Sequence, residues 1–140
     1  LDSSWRIEIT ASDISFNVLM KAKEGFYADN KIAGIPPAYL SKYFIKTSGG
    51  YHIIDDIRKT ITFDYHNLKY DSGLRNFDIV FCRNVIIYFD SKAQIEVVNR
   101  IYESMNFNSY LFIGHSESLF GMNTKFNFAK LGEACLYMKK

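Results

Sequence analysis

The sequence predicts an α/β fold built on a mostly parallel sheet, closed at its C-terminal end by an antiparallel pair. Three observations lead there. The segment Phe77 to Cys82 carries an unbroken apolar run, Ile79-Val80-Phe81, which turns polar at Cys82-Arg83-Asn84. A strand buried on both faces reads this way, and its polar end lies at the carboxyl edge of a sheet, where open α/β sheets hold their ligands. Strand-like and helical segments alternate along the chain. Two short apolar segments, Phe126 to Ala129 and Ala134 to Met138, flank Gly132 and read as a hairpin.

Taken in order, Ile7-Glu8-Ile9-Thr10-Ala11 alternates and predicts a strand that ends in Ser12-Asp13-Ile14-Ser15. Ser15 is placed to cap a helix from about Phe16 to Glu24, with Val18, Leu19 and Ala22 on one face and Gly25 just past its end. Pro36-Pro37 starts a short helical stretch from Ala38 to Phe44. Gly49-Gly50 marks a turn, and strands follow over Tyr51 to Ile54 and Ile57 to His66. The middle of the chain thus reads as a small antiparallel excursion from the main sheet. Ser91 is expected to cap a long helix, Lys92 to Met105, whose Ile95, Val98, Ile101, Tyr102 and Met105 share a face. Tyr110 to Ile113 is a short buried strand.

Bulk properties narrow the function. A chain of 140 residues suits one domain with a real core. It is 48% apolar and 23% charged, ordinary for a soluble globular protein. Aromatics reach 16%, which favours strands and large core side chains. A net charge of +2 is too balanced to argue for nucleic acid. Cys82 and Cys135 sit in apolar segments and read as reduced and buried, as in a cytoplasmic protein. His52, His66 and His115 are scattered, and no metal-ligand spacing occurs. No apolar run reaches membrane-spanning length, so no direct membrane insertion is expected.

Several residues could carry chemistry. Asp13 ends a strand and could cap the next helix, the reading that spacing alone favours; a carboxylate there could also accept both hydroxyls of a ribose. Asn67-Leu68 follows the strand ending at His66 and reads by composition as a polar turn. Arg83 could form a structural ion pair with Asp78 or Asp90, or position a carboxylate. Tyr88 lies among Ile86, Ile87 and Phe89 and could be a phenol buried for packing. His115, Ser116 and Glu117 are adjacent, which argues against a hydrolase triad.

The run Phe81-Cys82-Arg83-Asn84-Val85-Ile86-Ile87-Tyr88-Phe89-Asp90, with Gly114-His115-Ser116-Glu117-Ser118-Leu119 after a later strand, resembles the chemotaxis receptor methyltransferases, the CheR family. Ala11-Ser12-Asp13-Ile14 and Asn67-Leu68 extend the likeness, which covers nearly all of the chain. The resemblance implies a Rossmann-like class I methyltransferase sheet with a C-terminal antiparallel hairpin and a small inserted α/β subdomain within residues 27–66 that faces the receptor. It implies S-adenosylmethionine as cofactor and S-adenosylhomocysteine as product. Methyl transfer would go to glutamate carboxylates of chemoreceptors, on their cytoplasmic domains. It assigns Asp13 to the ribose, Asn67 and Leu68 to the adenine, Cys82, Arg83 and Asn84 to the cofactor's amino acid portion, and Tyr88 and Arg83 to catalysis, with no metal. The run from His115 to Glu117 is left as structural or substrate-facing.

The chain also departs from the family. The family's first strand and glycine loop, and an arginine of its helical N-terminal domain, precede the segment equivalent to residues 7 to 13. Residues 1–140 are therefore expected to be the C-terminal part of a methyltransferase domain, inactive alone. The strands ending at Asp13 and Cys82 would each keep an unpaired edge able to recruit a second copy. Asn108-Ser109 stands where the family has a glycine-rich turn, and the short excursion at Gly49-Gly50 favours docking without a receptor tail peptide. The alternative is a non-catalytic protein-interaction module with a degenerate methyltransferase fold.

Overall fold

The computed structural model describes residues 4–132 and 134–140. The chain divides into two compact units, the first ending at Asn67 and the second beginning at Leu68. Each is built around a parallel strand pair.

In the first unit, β1 (Ile9–Asp13) pairs in parallel with β5 (Ile61–Tyr65), from Ile9 opposite Ile61 to Asp13 opposite Tyr65. Parallel neighbours need a long connection. Here it contains α1 (Phe16–Glu24), a small antiparallel sheet, two short α-helices and a 3-10 turn. The start and stop of α1 follow the sequence closely. Ser15 has extended dihedrals and its Oγ accepts the Val18 N–H at 3.4 Å. Gly25 takes the left-handed φ of 68° that ends the helix, and its N–H returns to the carbonyls of Lys21 and Ala22. Leu19 alone is buried on α1, whereas Val18, expected beside it, is exposed.

The antiparallel sheet has the order β2 (Phe26–Ala28), β4 (Gly50–Ile53), β3 (Phe44–Thr47). Gly50 is required where β4 meets β2. A Cβ there would collide with the Tyr27 carbonyl oxygen and lie 2.7 Å from Phe26 Cζ. The helix at Pro36-Pro37 forms as α2 (Pro37–Tyr43). The expected strand from Ile57 is shorter, because Asp55–Arg58 folds as a helical turn, α3, and β5 begins at Ile61. The two aspartates in its first turn and Arg58 in its last suit the helix dipole, which an alternation pattern does not register.

In the second unit the strand order is β6 (Phe77–Cys82), β7 (Met105–Ile113), β9 (Ala134–Lys139), β8 (Asn127–Leu131). β6 and β7 are parallel and joined through α4 (Ser91–Ser104), while β8 and β9 form the closing hairpin. β7 starts five residues before the expected Tyr110. It carries a register shift near Phe77, and Asn108 within it has φ of 59°. The apolar face of α4 holds Val97 and Val98, both fully buried, with Ile101 against Leu111 and Met105. Its N-cap is Asp90, not Ser91: Asp90 Oδ1 accepts the Ala93 N–H at 2.9 Å. A carboxylate at this position also meets the positive end of the helix dipole. At the other end the buried Lys139 of β9 donates to the carbonyls of Tyr102 and Met105, at 2.8 and 2.7 Å.

Both cysteines are free thiols. Cys82 is buried as expected, but Cys135 is exposed, because it stands at the start of β9 beside the hairpin turn, ahead of the part of the strand that packs on the core.

Candidate cofactor and methyl-transfer site

The predicted residues fall at the carboxyl ends of the parallel strands within each unit. In the first, Asp13 ends β1, and the ladder with β5 runs one step further, the His66 N–H reaching the Asp13 carbonyl at 3.1 Å. Asn67 follows directly, so Asp13 and Asn67 share one strand-end edge. Asp13 Oδ1 accepts the Ser15 N–H at 2.7 Å. The cap reading does not hold for Asp13: Ser15 Oγ caps α1, while Asp13 Oδ1 takes the Ser15 N–H in the turn before it.

The second unit carries the longer motif. The Cys82 side chain turns into the core, where burial, with the nearby Glu117 charge, pushes its thiol up to about 11. A neutral, enclosed thiol offers a ligand only its backbone. Leu68 is half-buried against the same core, so part of its apolar surface is already covered. Arg83 is exposed and makes no ion pair among the described residues. Both acids considered as partners are engaged elsewhere: Asp78 accepts Asn106 Nδ2 at 2.8 Å, and Asp90 caps α4.

Beyond Arg83 the chain reverses direction. Asn84 adopts φ of 59°, a left-handed conformation that asparagine tolerates better than most residues. The apolar run Val85 to Phe89 then contains a 3-10 turn, Ile86–Tyr88. The turn sorts its side chains: Ile86 is 2% exposed and anchors it, whereas Tyr88 is 81% exposed. Tyr88 is thus not held for packing. Gln94 of α4 fastens the turn by donating to the Ile86 carbonyl at 3.1 Å.

One residue to which the sequence gives no definite role organises this segment. Glu117 Oε1 accepts the N–H groups of Val85 at 2.9 Å and Ile87 at 3.2 Å. Its Oε2 accepts those of Asn84 at 2.9 Å and Gly114 at 2.6 Å. Partial burial pushes this carboxyl up, but the N–H donors of Gly114, Asn84 and Ile87 outweigh it and hold the group below the usual glutamate range. Gly114 permits the approach, since a Cβ on it would collide with Asn84 Oδ1 and lie 2.7 Å from Glu117 Oε2. His115 and Ser116 are exposed between them. The only signal in the sequence was a glycine and a glutamate three residues apart after a strand.

Within each unit the parallel strands end in polar residues, at the kind of edge where open α/β sheets place their ligands. The model of the family "CheR methyltransferase, SAM binding domain" matches residues 2–135, and the chain belongs to that family, whose cofactor is S-adenosylmethionine. The chain is 36% identical over 137 residues to chemotaxis protein methyltransferase 2 of Vibrio cholerae serotype O1, covering 95% of this chain and 48% of that protein. It is 34% identical over 121 residues to the chemotaxis protein methyltransferase of Borreliella burgdorferi, covering 84% and 43%. That of Vibrio anguillarum is 34% identical over 137 residues, covering 96% and 50%. The chain spans about half the length of these relatives or less.

Proposed function

We propose that the chain is the cofactor-binding part of an enzyme that methylates glutamate carboxylates on the cytoplasmic domains of chemoreceptors. The observation that carries this reading is the end of β6, where Arg83 and Tyr88 are both exposed on a backbone held by Glu117, inside a chain of the CheR family.

The residues fit S-adenosylmethionine. Asp13, whose Oδ1 takes the Ser15 N–H, is an acceptor for ribose hydroxyls. Asn67 would hold the adenine edge, with the uncovered part of Leu68 against the base. The backbone at Cys82, Arg83 and Asn84 would meet the amino acid portion. When bound, the cofactor supplies a methyl on a sulfonium; a glutamate oxygen takes that methyl, sulfur keeps the bonding pair, and a methyl ester and S-adenosylhomocysteine result.

A glutamate carboxylate has a reference pKa of about 4.3, so it is ionised at neutral pH and needs no general base. The protein's task is alignment, to an approach of roughly 3 Å, and exclusion of water. Arg83 provides a fork for a carboxylate. Too strong a grip would favour the ground state, because the anion loses its charge as it reacts. The Tyr88 hydroxyl, a single donor, suits orientation without that penalty. The antiparallel sheet of β2, β3 and β4, nearly all of it in residues 27–66, is the part we assign to the receptor side.

The test is transfer of labelled methyl from S-adenosylmethionine to a purified receptor cytoplasmic domain by the full-length protein. Label released as methanol by mild alkali is the expected result, since methyl esters are base-labile. Alkali-stable label, or none, would overturn the reading.

A further inference from the structure

We propose that Glu117 is the positioning residue of this site, its carboxylate setting the backbone that presents Arg83, Asn84 and Tyr88. This rests on the cofactor-binding reading of that segment. The donors come from two separate strand ends. Asn84, Val85 and Ile87 follow β6, and Gly114 follows β7, yet all four N–H groups converge on one carboxylate at 2.6–3.2 Å. A convergence of backbone N–H groups is an anion-binding concavity. In this chain an internal anion fills it.

Two consequences follow for the chemistry. With that concavity filled, an incoming carboxylate cannot settle on the backbone of the reversal and is directed to Arg83, whose guanidinium has no acid of its own among the described residues. The left-handed Asn84 and the 3-10 turn are also held from one point, so the exposed Tyr88 sits on an anchored segment. Glutamine would not replace the carboxylate. Its Oε1 could serve one pair of N–H groups, but its NH₂ would face the other pair, donor against donor. Aspartate keeps the charge but is one methylene short.

The experiment uses the full-length protein and two readouts. In the ¹⁵N-labelled wild type, the amide protons of Asn84, Val85, Ile87 and Gly114 are expected to shift together on acidification, with one midpoint below the ordinary glutamate range. At pH 7, E117Q is expected to weaken S-adenosylhomocysteine binding tenfold or more, and E117D by less, with amide shifts in β1 and β5 unchanged. Binding by E117Q within twofold of wild type, or four unrelated midpoints, would overturn the proposal. If E117Q does not fold, the wild-type titration and E117D decide. Wild-type protein that binds no S-adenosylhomocysteine while the four amides still titrate together would instead overturn the cofactor reading, and the role at a cofactor site with it.

Discussion

Gly114 and Asn84 approach so closely that the side-chain oxygen of Asn84 occupies the space a Cβ on Gly114 would need. The contact joins the residue after β7 to the reversal after β6, and Glu117 accepts an N–H from each. Gly114→Ala must push Asn84 away or break this joint. A cost of about 1–3 kcal/mol is expected, the usual range for overpacking. A urea midpoint lowered at unchanged slope, with weakened S-adenosylhomocysteine binding, is the predicted result; wild-type behaviour in both would show that the joint yields easily.

Glu117 predicts an acid-sensitive component of stability. Its carboxyl titrates below the usual glutamate range in the folded state. The stabilisation is therefore fully present above the unfolded value, about pH 4.3, and is lost as pH falls through the folded value. Stability of E117Q should be lower than wild type at pH 7, and the gap should close on acidification below pH 4. A gap that stays constant to pH 3 would assign the loss to packing.

Tyr88→Phe should lower turnover while leaving cofactor affinity nearly unchanged, because the ring stays and one donor is lost. The expected loss is on the order of 1–3 kcal/mol in the transition state. Since Tyr88 is 81% exposed, the melting temperature should not move. Unaltered kcat in the Phe variant would remove the hydroxyl from the mechanism.

Lys139 stands apart from the site and tests the second unit's packing. Its ammonium bonds the carbonyls of Tyr102 and Met105 and lies 4.6 Å from the centroid of the Tyr102 ring. Lys139→Met keeps the stem and leaves both carbonyls without that donor. A destabilisation of about 1–3 kcal/mol is expected, read by denaturant titration, with no effect on the intrinsic cofactor affinity of the folded protein.

β1 pairs only with β5, and β6 only with β7, among the described strands. Each therefore offers an unpaired edge, and β6 carries the exposed Ile79 and Phe81. Such edges recruit other strands. The 140-residue chain by itself should thus self-associate with concentration in light scattering. A monodisperse monomer up to high concentration would mean that these edges are protected.

Much of this was legible along the chain because it depends on neighbours in sequence. Ser15 and Gly25 bound α1 through bonds that span no more than four residues, and Gly132 turns the hairpin in the same local way. The run from Phe81 to Asp90 identified the family and drew attention to Arg83, Asn84 and Tyr88. Tertiary structure decided the rest. Whether Asp90 or Ser91 caps α4, whether Cys135 is enclosed, and whether Tyr88 points inward all depend on which face the rest of the unit covers. Above all, the role of Glu117 depends on bringing a residue after β7 within 3.2 Å of amides after β6, some thirty positions earlier. A carboxylate's partners there are backbone N–H groups, which every residue but proline carries, so no pattern of side chains announces them.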